Sequence, residues 1–210
     1  MREAMVADQI AARGIANRDV LRVMREIPRH RFVPPGQSTA AYEDRPLPIG
    51  NGQTISQPYI VALMTELLEP TPDDLILDIG TGSGYLAAVV SRLANRIISV
   101  ERIPHLADCA RHRLQCEGYG NIEVVTADGT IGYAPHAPYD GIIISAAYQS
   151  IPPLLLEQLR PGGRLVMPVG ADDEQRLHKV QKLADGTLQT TCHSPVRFVP
   201  LIGRYAWADA

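Results

Sequence analysis

The stretch Leu75-Ile76-Leu77-Asp78-Ile79-Gly80-Thr81-Gly82-Ser83-Gly84-Tyr85 decides the fold. Leu75 to Asp78 read as a short buried strand, and three glycines at alternate positions read as a turn into a helix running from Tyr85 to Ala94. Glycine admits left-handed dihedrals and lets a ligand approach the main chain closely. Outward from this unit the pattern repeats. Strands are expected at Arg96–Glu101, Ile122–Ala127, Tyr139–Ser145 and Arg164–Val169. Helices are expected at His105–Glu117, closed by Gly118, and after Ser150, with Pro152 and Pro153 in the first turn and an end at Pro161-Gly162-Gly163. Apolar strands separated by helices imply a parallel, doubly wound sheet with right-handed crossovers. The last forty residues read as three strands, Arg176–Leu183, Gly186–Cys192 and Val196–Leu201, antiparallel at the sheet edge.

Upstream the character changes. Arg2–Arg13 reads as a helix closed by Gly14, and Arg18–Ile27 as a second with Asn17 as its N-cap. A long stretch rich in proline and glycine separates Pro28 from Pro58, and its apolar residues (Phe32, Val33, Tyr42, Leu47, Ile49 and Ile55) predict an ordered, packed loop. Pro58–Leu68 reads as a helix with proline in its first turn. With no repeat or linker in sight, one domain is expected over 1–210, made of N-terminal helices and a covering loop (1–57) and an α/β core (58–210).

Bulk properties exclude several classes. A net charge of −3 over 210 residues offers no general pull toward nucleic acid or anionic lipid, so neither is an expected partner. No apolar run approaches the roughly 18 residues of a membrane span. The N-terminus lacks the basic-then-apolar layout of a secretory signal, and three cysteines do not read as a disulfide framework. A cytoplasmic monomer is expected. Cys109 and Cys116, seven apart on one helix face, are expected as buried thiols without a histidine at ligand spacing, and no metal is expected.

The turn at Asp78–Gly84 points to a nucleotide-like ligand at the carboxyl ends of the strands. It is not a dinucleotide fingerprint, because Tyr85 replaces the last glycine, and it is not a P-loop, because no lysine or arginine lies between Asp78 and Arg92. An acid precedes the first glycine, which would repel a pyrophosphate and attract a cation. Glu101 ends the second strand, placed to accept ribose hydroxyls, and Asp128-Gly129 follow the third, placed to read an adenine edge. Three acids at successive strand ends suit S-adenosylmethionine, whose methionine end is cationic. Capping of the following helices is the plainer role for Asp78 and Glu101.

The chain resembles the protein-L-isoaspartate O-methyltransferases over nearly its whole length. The resemblance rests on Arg31-Phe32-Val33-Pro34, Ala41-Tyr42-Glu43-Asp44, Gly52-Gln53-Thr54-Ile55-Ser56-Gln57-Pro58-Tyr59, Ile79 to Tyr85, Val100-Glu101-Arg102, Gly162-Gly163-Arg164 and Val196 to Leu201. It implies a mostly parallel, seven-stranded Rossmann-like methyltransferase sheet with an N-terminal helical and loop extension. It also implies transfer of a methyl group from S-adenosylmethionine to the free α-carboxyl of L-isoaspartyl residues in damaged proteins and peptides. Carried over by residue, Ser56 is catalytic. Gln53, Thr54, Ile55, Asp78, Gly80, Thr81, Gly82, Ser83, Gly84, Glu101, Asp128 and Gly129 hold the cofactor. The chain departs from the family at Ser145-Ala146-Ala147-Tyr148, where a Thr or Gly is usual before Ala-Ala and a Pro often follows.

An acceptor carboxyl is already an anion at neutral pH, so no general base is required. Ser56 stands at the start of the Pro58 helix, where a hydroxyl and a positive helix end suit a carboxylate; a plain N-cap is its bland role. Arg197 and Tyr148 are further candidates for contact with the acceptor, Arg197 with a surface ion pair as its alternative. Two other functions stay open: the same chemistry on another carboxylate or on RNA, the latter invited only by Arg22, Arg25, Arg29, His30 and Arg31, and a non-catalytic cofactor-binding module.

Overall fold

The computed structural model describes residues 1–171 and 174–208. Seven strands form the main sheet: β3 (Leu75–Ile79), β4 (Arg96–Glu101), β5 (Ile122–Thr126), β6 (Tyr139–Ile144), β7 (Leu159–Val169), β8 (Arg176–Lys182) and β9 (Leu188–Pro195). Their order is β5-β4-β3-β6-β7-β8-β9; the first five are mutually parallel, and β8 and β9 run antiparallel at the edge. The doubly wound, mostly parallel sheet expected from the alternating pattern is therefore present. Helices α3 (Pro58–Leu68), α4 (Tyr85–Ser91), α5 (Pro104–Cys116) and α6 (Pro153–Glu157) connect the strands, and strands β3 and β6 are apolar and buried because helices cover both faces.

The first strand of the main sheet, β3, lies in its interior. β4 and β5 are laid down on one side of β3, and β6 then returns to its other side, so strand order reverses between β3 and β6. At that reversal Gly80 and Ser145 face each other so closely that a Cβ at Gly80 would stand 3.5 Å from the Cβ of Ser145.

The N-terminal segment begins as α1 (Arg2–Ala4), widens into a π-helical turn at Met5–Ile10, and tightens to a 3-10 turn at Ala11–Arg13 before Gly14 ends it at φ +100°. One regular helix was expected there. The π turn stacks residues five apart, which brings Met5 and Ile10 into the core together. Next, α2 (Arg18–Glu26) starts at Asn17, whose side chain accepts from the Asp19 and Val20 N–H groups. The long loop is ordered: it contains 3-10 turns and the hairpin β1 (Leu47–Gly50) and β2 (Gln53–Ile55), with Phe32, Leu47 and Ile55 buried. Met5, Val20, Phe32, Ile97 and Val166 all belong to one apolar cluster, so the N-terminal segment shares its core with the sheet.

Other expectations need correction. The helix after Ser150 begins at Pro153, with Pro152 as its N-cap, and is short; Pro161-Gly162-Gly163 fall inside β7, where a two-residue step on β6 faces a five-residue step on β7. Glycine-proline runs thus mark a bulge here and not a helix end. Val196–Leu201 is no strand. Pro200 lacks an N–H, the Val196 N–H donates to the Gln175 carbonyl (3.0 Å) and the Phe198 N–H to the Gln175 side chain (2.7 Å), and Ala147 bonds the segment by donating its N–H to the Val199 carbonyl (2.8 Å) and accepting from the Leu201 N–H (2.7 Å). Cys116 is exposed and Cys109 half-exposed, so the expected buried thiols are overturned: α5 turns Leu106, Ala107, Ala110 and Leu114 to the core and leaves the cysteines on its outer side.

A buried ion pair closes the amino end of the sheet. Arg164 on β7 donates to the Asp74 carboxylate at 2.6 Å, with side-chain exposures of 14% and 3%, and Thr71 donates its N–H and its hydroxyl to the same carboxylate. Removing one partner leaves a buried charge alone. Asp74→Ala should lower unfolding free energy by about 3–5 kcal/mol in urea denaturation; a change under about 1 kcal/mol would mean that water already reaches this pair.

Candidate active site

A chain of polar side chains runs beneath the glycine turn. The Ser99 hydroxyl donates to Asp78 Oδ2 at 2.6 Å and lies 2.6 Å from the Thr81 hydroxyl. Asp78 is 1% exposed, and its other oxygen, Oδ1, has no partner among the described residues. Burial, opposed by the Ser99 hydrogen bond and aided by the charge of Glu101, pushes the Asp78 carboxyl up to about 7. At the end of β4, Glu101 accepts from the Gly82 N–H at 2.9 Å and from the Ile103 N–H at 3.0 Å. Glu101 therefore pins the turn to the neighbouring strand. Gly80, Gly82 and Gly84 hold φ of +90°, +52° and +86°, in the left-handed region that favours glycine.

A cavity of about 810 Å³ opens over this turn. Gln53, Thr54, Ile55, Ser56, Gly80, Thr81, Gly82, Ser83, Glu101 and Gly129 line it, which brings together most of the residues that the sequence points to. A second cavity, of about 910 Å³, lies alongside and is lined by Ser56, Gln57, Ile60 and Arg197 among others. The two share Thr54, Ser56, Ser145 and Val199. The β1–β2 hairpin carries Thr54 and ends just before Ser56; Ser145 comes from the end of β6 and Val199 from the segment after β9.

Ser56 does not cap α3. The N-cap is Gln57, and the Ser56 hydroxyl has no hydrogen-bond partner among the described residues, so it is left to face the cavities. The expectation that the helix end awaits an acceptor anion is corrected in part. Asp44 already sits there, accepting from the Tyr59 N–H (3.3 Å) and from Gln57 (2.7 Å), and Arg13 neutralises it at 2.6 Å.

Four expected site residues stand outside the cavity lining. Asp78 lies beneath the turn and Gly84 begins α4, so both shape the loop from behind. Asp128 is committed elsewhere: it accepts from the Thr130 N–H and hydroxyl and from the Arg204 N–H, which outweigh burial and hold its carboxyl below the usual range. Tyr148 turns away and meets Trp207 edge-on, ring centroids 5.3 Å apart. In their place the structure adds Ser145 and Val199–Ile202. Ser145 was within reach of sequence reasoning, since ligands gather at the switch point and it ends the strand there. Nothing in the periodicity of Val199–Ile202 marks it as a cavity wall.

The basic cluster that invited RNA does not form a free positive face. Arg22 is paired with Asp19 and Glu26, Arg25 with Glu3, and Arg31 with Glu117, while Arg29 is buried, donating to the Ala41 carbonyl at 2.7 Å. No group of three or more metal-ligating side chains occurs among the described residues, and no described helix is long and apolar enough to cross a membrane.

With this geometry in place, comparison with known proteins is decisive. The family model described as protein-L-isoaspartate(D-aspartate) O-methyltransferase matches residues 1–206. The chain belongs to that family. The protein-L-isoaspartate O-methyltransferase of Methanoculleus marisnigri is 56% identical over 206 residues, 98% of this chain and 93% of its own length. That of Methanospirillum hungatei is 55% identical, over 98% of this chain and 95% of its own. A solved protein-L-isoaspartate O-methyltransferase matches 98% of this chain and 67% of its own at a TM-score of 0.87 and 28% identity. A Plasmodium falciparum chain described in the same terms, solved in complex with S-adenosyl-L-homocysteine, matches at a TM-score of 0.82 and shares the fold at 22% identity, over 96% of this chain and 98% of its own.

The raised Asp78 carboxyl has a consequence for stability. Between an ordinary value of 3.8 and about 7, the folded chain keeps a proton that the unfolded chain has lost. Its contribution to stability is therefore full below about pH 4 and gone above about pH 7, falling as pH rises through that window. Asp78→Asn should remove this decline from urea unfolding profiles taken across the window. Parallel profiles for the two proteins would show that Asp78 ionises normally.

Proposed function

We propose that this protein repairs damaged proteins by transferring a methyl group from S-adenosylmethionine to the free α-carboxyl of L-isoaspartyl residues. The observation that carries the reading is the meeting of two cavities at Thr54, Ser56, Ser145 and Val199, one built for the cofactor and one open to a peptide.

The residues present fit the cofactor. Glu101 and the buried Asp78 supply negative charge near the turn, and no lysine or arginine lies between Asp78 and Arg92 to favour a phosphate. When bound there, S-adenosylmethionine supplies an electrophilic methyl group on a sulfonium sulfur. Glu101, already holding the Gly82 N–H, keeps lone pairs for ribose hydroxyls, and Gln53, Thr54 and Ile55 close the cavity from the hairpin side. Asp78, Gly84 and Asp128 serve the site indirectly, through the shape of the loops.

On the acceptor side, Ser56 donates its uncommitted hydroxyl to the substrate carboxylate, and Arg197 at the rim of the second cavity provides a cation. The acceptor is anionic at neutral pH, so the protein's task is alignment and exclusion of water, and no side chain has to remove a proton. The family, the relatives' names and the geometry support this reading together. Three free thiols support a reducing, cytoplasmic setting, and the shared core supports one domain over the whole chain.

Labelled S-adenosylmethionine offered with an isoaspartyl peptide and with its normal aspartyl twin tests the proposal. Label should enter the first and spare the second; an unlabelled isoaspartyl peptide would refute it. Ser56→Ala should lower kcat/KM for the peptide by about 10- to 100-fold, the worth of a hydrogen bond to a charged group. Cofactor affinity, measured by calorimetry, should stay as it was. An unchanged turnover would remove Ser56 from the mechanism.

A further inference from the structure

The outer face of α5 carries a second constellation that methyl transfer does not use. His105, Cys109, His112 and Cys116 follow one another at spacings of four, three and four, so all four lie along one side of the helix. That side is open to solvent: His105, His112 and Cys116 are exposed and Cys109 is half-exposed. The inner side of the same helix carries the buried Leu106, Ala107, Ala110 and Leu114, so the polar stripe contributes nothing to the core.

Distances within the stripe are those of a chelate. His105 Nε2 stands 3.8 Å from Cys109 Sγ, and His112 Nε2 stands 3.6 Å from Cys116 Sγ. A tetrahedral ion with bonds of about 2.3 Å to sulfur and 2.0–2.1 Å to nitrogen holds its two ligands about 3.6 Å apart. The separations suit an ion, and the His112 ring, whose Nδ1 also stands 4.0 Å from Cys116 Sγ, turns to aim its Nε2 lone pair at it. The expectation that no histidine matches the cysteines at ligand spacing is overturned by the same numbers.

We propose that α5 binds thiophilic divalent cations of the zinc class at two His-x3-Cys chelates, His105 with Cys109 and His112 with Cys116. On binding, each thiol loses its proton to solvent, each neutral imidazole supplies a lone pair, and water fills the remaining positions. The two pairs cannot share an ion, since seven residues separate them by about 10 Å along the helix. That agrees with the finding that no three such side chains converge among the described residues. Arg113, four residues beyond Cys109, donates to the Ser83 carbonyl at 2.8 Å and still acts electrostatically on the Cys109 thiol, so the His112–Cys116 pair is the tighter of the two. The third thiol is a poorer ligand. Cys192 Sγ accepts from Arg176 Nε at 2.9 Å, and that guanidinium opposes an incoming cation.

Cobalt(II) titration of the full-length protein tests the assignment, with cobalt as a coloured substitute for zinc. A thiolate-to-cobalt charge-transfer band should appear, saturate at two ions per chain, and bleach when zinc is added. Cys109→Ser and Cys116→Ser should each remove about half of the band, and the double variant all of it. His105→Ala and His112→Ala should each weaken its own pair by roughly 10- to 100-fold or more, at least the loss expected for a supporting partner. Methylation of the isoaspartyl peptide should be unchanged in every variant, because none of the four residues lines either cavity. No band, a band insensitive to the histidine substitutions, or a band lost with Cys192→Ser would overturn the proposal. Because the readout is optical, it stands or falls apart from the methyl-transfer reading.

Discussion

The bond from Gly82 N–H to the Glu101 carboxylate is the constraint from which the rest of the site follows. A glycine turn has little conformational preference of its own, and three positive φ values in five residues cost entropy that local contacts must offset. Glu101 supplies that restraint from above, and the Asp78–Ser99–Thr81 chain supplies it from below. Both restraints reach from the β3 turn to β4, so the site depends on the parallel pairing of those two strands. The carboxylate that orders the loop also lines the cavity.

The N-terminal segment depends on a different kind of restraint. Arg29 is fully buried, donates to the Ala41 and Arg45 carbonyls, and lies over the Tyr85 ring at 5.2 Å. Burial lowers its guanidinium to about 10, still protonated at neutral pH, and its Nη1 remains without a partner among the described residues. Retaining a charge there is costly. What it secures is the loop between α2 and the hairpin, tied to the first residue of α4 and hence to the end of the glycine turn. Arg13 extends the same logic: it stacks on Tyr59 at 3.6 Å and pairs with Asp44, which holds the start of α3 beside Ser56.

Much of this was legible in the residues. Alternating apolar strands and helices, with the Asp78–Gly84 turn between them, indicated the sheet and the turn over which the cavity opens, and Arg96–Glu101 was bounded as the structure has it. The acids at strand ends were legible as a set but not as individuals. Glu101 faces the cavity, whereas the side chain of Asp128 is consumed by Thr130 and Arg204, because the final segment crosses back over the sheet to that point. Such a crossing is a long-range event, 76 residues apart in sequence, and no local pattern announces it. The same return brings Val199–Ile202 into the wall of the site and takes Tyr148 out of it, through the stacking on Trp207. Gln175 explains the error at Val196–Leu201: the composition suits a strand, but the Val196 and Phe198 N–H groups go to the carbonyl and side chain of Gln175 and are lost to a ladder.

Charge arranges the chemistry of the two cavities. Around the first cavity Asp78 is protonated in part near neutral pH, Glu101 is held by backbone donors, and Arg102 stands beside Glu101 in the lining. Beside the second cavity, Asp44 is spent on Arg13, Gln57 and the Tyr59 N–H, so its charge is already matched next to the wall that Ser56 and Arg197 line. In the proposed reaction a cation and an anion meet at Ser56 and Ser145, which the two cavities share. Their mutual attraction grows as water leaves the shared boundary, and it is discharged when the methyl group crosses. The absence of a general base from this boundary follows from the charges of the two reactants, because a pair that neutralises itself requires position and dryness above all else.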